Sequence, residues 1–76
     1  MKIEILGTGC AKCKTLYANA QAAVADLGIS AQVEKVENIQ QIIRYGIMTT
    51  PALAVDGKVL LAGRVASSDE IKKLLV

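Results

Sequence analysis

The stretch "TPALAVDGKVLLAG", Thr50 to Gly63, holds two short apolar runs joined at Asp56-Gly57. That dipeptide favours a tight type I′ hairpin turn, because both central residues of the turn need positive φ. The segment therefore reads as an antiparallel hairpin opened by Pro51 and closed by Gly63. Downstream, "SSDEIKKLL" places Ser67 three residues before Glu70, the spacing of a capping box, and puts Ile71, Leu74 and Leu75 on one helical face. Upstream, Asn38 is placed to cap a short helix that carries Ile39, Ile42, Ile43 and Ile47 on one face and ends near Gly46. Its β-branched isoleucines are mediocre helix formers, so packing must hold it.

Continuing toward the N-terminus, "AQVEKVE", Ala31 to Glu37, reads as a strand near a sheet edge, where its charges reach water. Leu16, Ala20, Ala23, Val24 and Leu27 follow a helical period from about Ala11, and Gly28 supplies the stop. Lys2 to Leu6 is a short strand with Ile3 and Ile5 on one face, ended by the turn Gly7-Thr8-Gly9. The order is βαβαββα. The first β-α-β segment calls for a right-handed crossover and a parallel pair, and the hairpin adds antiparallel strands. The expected architecture is α/β, a four-stranded mixed sheet flanked by helices.

Seventy-six residues make one domain, 1–76, since a chain this short buries only about three-fifths of its unfolded surface. Hydrophobic residues are 53% of the chain, but alanine supplies much of this and there is no Trp or Phe, so Ile, Leu and Val must fill the core. Nine basic and seven acidic residues are scattered without a basic run, which argues against nucleic acid as a partner. The N-terminus lacks the continuous apolar stretch of a signal peptide and no segment has the length of a membrane span. The expectation is a soluble, monomeric, cytoplasmic protein with no membrane partner.

The chemistry centres on "GTGCAKCK", Gly7 to Lys14, with Cys10 and Cys13 at Cys-x-x-Cys spacing. In a reducing compartment such a pair is more often catalytic or metal-binding than structural. A Cys10–Cys13 staple would also close a very short loop, where a disulfide contributes least. Cys10 stands at the helix entrance, where unpaired backbone N–H groups and the positive end of the helix dipole stabilise a thiolate. Lys12 and Lys14 add nearby positive charge. Cys13, one turn along, reaches the same sulfur and should be less exposed. Attack is therefore assigned to Cys10 and resolution to Cys13. Lowering a thiol pKa from about 8.5 to about 7 raises the neutral-pH thiolate fraction roughly sixteen-fold and cuts nucleophilicity roughly five-fold. The larger gain is that Cys10 also leaves readily, which suits reversible exchange.

Two thiolates also suit copper or zinc, and the motif is similar to the Met-x-Cys-x-x-Cys loop of heavy-metal-binding domains. Against that reading, Thr8 stands where that loop has Met, the chain ends in a capped helix rather than a strand, and there is no His to complete a zinc site. A metal-binding or chaperone module remains the alternative function, and a partner-binding domain with redox-reporting cysteines a third.

With Cys10-x-x-Cys13 after a first strand and "YGIMTTPALAVDGKVLLAGRVASSDEIKKLL", Tyr45 to Leu75, the chain resembles the thioredoxin-like superfamily, in its minimal branch of small redox-active disulfide proteins. The resemblance implies a thiol–disulfide oxidoreductase without a bound cofactor. Its partners would be a disulfide-containing protein and a thioredoxin-reductase-like donor or thiol pool. It further implies a cis Pro51 facing the disulfide, with Thr50 offering backbone hydrogen bonds to a substrate strand. Gly63 would leave room beside the groove, and Ala11 and Lys12 would contact substrate. Glu4, six residues before Cys10, matches the buried acid of thioredoxins and is the candidate proton relay, the default for such a residue being an exposed strand position. The Trp and the helix-entrance Pro of the Trp-Cys-Gly-Pro-Cys loop are absent, as is the Pro-Tyr pair of glutaredoxins.

Overall fold

The computed structural model describes residues 1–8, 11–47 and 49–75. Its elements are β1 (Lys2–Leu6), α1 (Ala11–Leu27), β2 (Gln32–Val36), α2 (Ile39–Arg44), β3 (Ala52–Val55), β4 (Lys58–Ala62) and α3 (Ser68–Leu75). The strands form one mixed sheet in the order β2-β1-β3-β4. β1 pairs parallel with β2 (Ile3 opposite Val33) and antiparallel with β3 (Ile5 opposite Leu53), so the central strands are β1 and β3 and the charged β2 lies at an edge.

Alternation along the strands builds two cores. Ile3, Ile5, Leu53 and Leu61 face Leu16, Ala20 and Ala23 of α1 and Ile71 of α3. Leu6, Val36, Ala52 and Ala54 face Ile42 of α2. The small alanines of α1 let the helix approach the sheet closely, and the larger branched side chains of the strands fill the space between them.

The turn chemistry follows the residues. Asp56 and Gly57 take φ of 50° and 86°, as a type I′ turn requires. Asp56 also ties the hairpin to β1, donating its N–H to the Lys2 carbonyl and accepting from the Lys2 N–H at Oδ1, each at 2.8 Å. Gly28, with φ 63°, ends α1. The Asn38 side chain accepts from the N–H groups of Gln40 and Gln41 and starts α2.

Two expectations are corrected, one in α2 and one in α3. The isoleucines of α2 do not share one buried face: Ile42 is buried, while Ile39 and Ile43 are 60% and 65% exposed. The helix is only a turn and a half long and is rotated so that Ile42 and Tyr45, three apart, face the sheet, with Ile47 packing behind them. The Ser67–Glu70 capping box is present at the start of α3: Ser67 Oγ accepts from the Glu70 N–H at 3.2 Å, and the Glu70 carboxylate, paired with Arg64, is held below the usual carboxylate range by that guanidinium first and also by the Ser67 backbone N–H. In α3, Ile71 is fully buried and Leu75 packs against the core, whereas Leu74 lies at the rim. Among the described residues no helix is long and apolar enough to cross a membrane.

Candidate functional site

The C-terminal end of β1, the first turn of α1 and the loop into β3 meet at one end of the sheet. β1 continues one residue past its formal end, because the Gly7 N–H donates to the Val36 carbonyl at 3.0 Å. Thr8 then turns outward into solvent. Cys10, assigned above as the attacking thiol, lies outside the described residues, as does Gly9. α1 begins at Ala11, and Ala11, Lys12 and Lys14 are exposed on its outer face. Cys13 is buried, at 6% exposed, and its exposure relative to Cys10 lies outside the described residues.

The sulfur of Cys13 rests on bare backbone. A side-chain carbon built on Gly7 would lie 2.2 Å from Cys13 Sγ and 3.3 Å from its Cβ, with the Pro51 Cα at 3.9 Å. Gly7 is buried and its φ is not in the left-handed region, so what requires a glycine there is space and not backbone conformation. The Thr50–Pro51 peptide bond is cis, Pro51 is buried and Thr50 is exposed beside it. Gly63 holds this loop from the far side: with φ 81° it turns its N–H onto the Pro51 carbonyl at 2.9 Å. The space that a Gly63 side chain would fill is taken by Thr49, whose Oγ1 lies 2.8 Å from that position. The structure thus brings Cys13, Thr50, Pro51 and Gly63 into one neighbourhood.

A pocket of about 310 Å³ opens beside Cys13, lined also by Ile5, Gly7, Thr8, Lys14, Lys35 and Glu37. Lys35 is partly committed elsewhere, its Nζ standing 4.7 Å above the Tyr17 ring. Glu4 does not line this pocket. It belongs to the sheet face that carries Ala54 and α2, is half-buried, and accepts a hydrogen bond from the Tyr45 hydroxyl. That bond, with partial burial and the nearby negative charge, pushes the Tyr45 phenol up to about 12. Among the described residues no three Cys, His, Asp or Glu side chains are grouped to hold a metal ion.

Sequence reasoning missed Gly7 and Thr49 as parts of this neighbourhood, and Tyr45 as the partner of Glu4. Gly7 was visible as a turn residue, a role that hides its contact with a sulfur six positions on. Nothing local in the sequence marks the other two.

A mixed four-stranded sheet, helices on both faces, a cysteine in the first helical turn and a cis proline packed near it define a thioredoxin-like domain. The thioredoxin domain family matches residues 1–76, and the chain belongs to that family. It is similar to a thioredoxin of Methanothermobacter thermautotrophicus, 53% identical over 75 residues that cover 99% of this chain and 97% of the relative. It is also similar to a thioredoxin of Methanocaldococcus jannaschii, 40% identical over 73 residues that cover 96% of this chain and 84% of the relative.

Proposed function

We propose that the protein is a thiol–disulfide oxidoreductase working through Cys10 and Cys13. The Cys10 thiolate attacks one sulfur of a substrate disulfide, forming a mixed disulfide and releasing the other sulfur as a thiolate. Cys13 then attacks the Cys10 sulfur, the Cys10–substrate bond breaks, and the second substrate sulfur leaves with the electron pair. The substrate ends reduced by two electrons and the protein oxidised to a Cys10–Cys13 disulfide. A reductase or a thiol pool must return those electrons, which suits a monomer working in the reducing cytoplasm. The electrons reside in the two sulfurs, so the step itself needs no bound cofactor.

The observation that carries this reading is the seat of Cys13. Its sulfur is buried in the first turn of α1, against Gly7 and near the cis Pro51, in a chain that belongs throughout its length to the thioredoxin domain family. Thr50 is exposed beside Pro51, where its backbone would pair with an extended substrate strand, and exposed Ala11 and Lys12 would meet the substrate from α1. Glu4 serves as the proton relay in this reading only if its carboxylate exchanges with the Cys13 proton despite the Tyr45 bond; an unchanged pH profile in Glu4→Gln removes it from the scheme.

Replacing Cys13 by Ser tests the function. The variant is expected to retain attack and to accumulate a covalent mixed disulfide with a protein disulfide substrate, seen by mass spectrometry and reversed by dithiothreitol. Release of substrate thiols without any trapped adduct refutes the assignment.

A further inference from the structure

We propose that Gly7 positions the resolving sulfur, its missing side chain providing the seat from which Cys13 attacks the mixed disulfide. The inference rests on the exchange scheme above and adds to it a residue outside the Cys-x-x-Cys motif. Gly7 is fixed on its own account, since it is buried and its N–H is bonded to the Val36 carbonyl, so it cannot easily move away from a clash. Its φ lies outside the left-handed region, so alanine fits the backbone. Among the described residues the one severe conflict of an added carbon is with Cys13 Sγ, at 2.2 Å. The Cys13 Cβ at 3.3 Å needs to yield by only a few tenths of an ångström.

A cysteine side chain has one torsion, and on a helix the rotamer near +60° is disfavoured. Gly7→Ala therefore drives the sulfur toward the other staggered position or tilts the start of α1. Either way the sulfur moves by about 1 Å or more, enough to slow a reaction roughly a hundred-fold when it falls on a reacting atom. The affected step is the second exchange. There Cys13, having given its proton to water, bonds to the Cys10 sulfur while the Cys10–substrate bond breaks and the substrate sulfur leaves with the electron pair. Attack by Cys10 forms no covalent bond to the Cys13 sulfur and is therefore the less affected of the two steps.

Fully reduced protein is mixed with one equivalent of dithiobis(nitrobenzoate), an aromatic disulfide whose thiolate is coloured, in a stopped-flow instrument. Wild type releases a first thiolate on attack and a second on resolution. For Gly7→Ala we expect the first release within about two-fold of wild type and the second slowed roughly ten- to a hundred-fold, with the adduct on Cys10 detected by mass. A second release at the wild-type rate overturns the proposal, as does equal slowing of both phases, which reports general damage. If wild type itself releases only one thiolate per reagent molecule, the exchange scheme fails, a result distinct from either. Should Gly7→Ala not fold, the same substitution is made in a Cys13→Ala background: recovery of folding there assigns the conflict to the sulfur and supports the proposal, and continued failure overturns it.

Discussion

Tyr45→Phe probes the contact that joins α2 to the centre of the sheet. The phenol at the end of α2 donates to Glu4 on β1, forty-one residues earlier in the chain, and its pKa rises from 10.0 to about 12. A raised folded-state pKa means that folding favours the protonated phenol. Its contribution is therefore fully present below the unfolded value near 10 and is lost as pH climbs through 12. Two pKa units correspond to about 3 kcal/mol if nothing screens the interaction. The hydroxyl is only half-buried, and solvent screening brings the expected contribution to about 1 kcal/mol, the size of an ordinary net hydrogen bond. Phe keeps the ring packed against the cluster of Leu6, Val36, Ile42, Ala52 and Ala54 and removes only the donor, so urea denaturation at pH 7 should show a loss of about 1 kcal/mol. That difference should shrink between pH 10 and 12. The chain has two tyrosines and no tryptophan, so subtracting the tyrosinate absorbance titration of Tyr45→Phe from that of wild type isolates Tyr45. A difference curve centred near 10, or a stability loss that does not vary with pH, refutes the reasoning.

Gly63→Ala should cost about 1–2 kcal/mol for a side chain in left-handed backbone, lowering Tm by about 5–15 °C, while also displacing Thr49 and loosening the Pro51 loop. A scanning calorimetry Tm within about 2 °C of wild type contradicts this account. Ile71→Ala removes a fully buried side chain where α3 meets α1 and the sheet, and should lose about 2–5 kcal/mol in denaturant titration. A loss below about 1 kcal/mol means that α3 collapses into the cavity or contributes little to the core.

The elements that the sequence made legible are those whose cause is local. Asp56-Gly57 announces its turn because few other dipeptides place two successive residues at positive φ, and Asn38 and Ser67 announce helix starts because their side chains meet N–H groups two or three residues away. The alternation of β1 separates its two faces for the same reason. The rotation of α2 was not legible. Four isoleucines are compatible with more than one buried face, and the face observed puts Ile42 against the sheet together with Tyr45, which reaches a carboxylate on another element. At the site, the cysteine spacing and the proline were readable as motifs, whereas Gly7 against Cys13 and Thr49 against Gly63 are close approaches between segments distant in the chain or bent by a turn. Such contacts leave only a glycine in the sequence, and a glycine at a turn already has a sufficient local explanation.

The same contacts explain how the chain holds the Cys13 sulfur in place. A core without Phe or Trp offers few large side chains with which to wall a site. Position is set instead by backbone groups on fixed strands. The Gly7 N–H is held by β2, the Pro51 carbonyl by the Gly63 N–H at the end of β4, and Cys13 by the turn of a helix anchored through Leu16. Each of the two glycines lets a neighbour approach more closely than any side chain would permit, Gly7 the sulfur and Gly63 the Thr49 hydroxyl. Absence of bulk at two points thus lets these segments lock together. "GTGCAKCK" and "TPALAVDGKVLLAG" are in consequence a single device: the glycine that opens the first stretch seats its second cysteine, and the glycine that closes the other fixes the proline beside it.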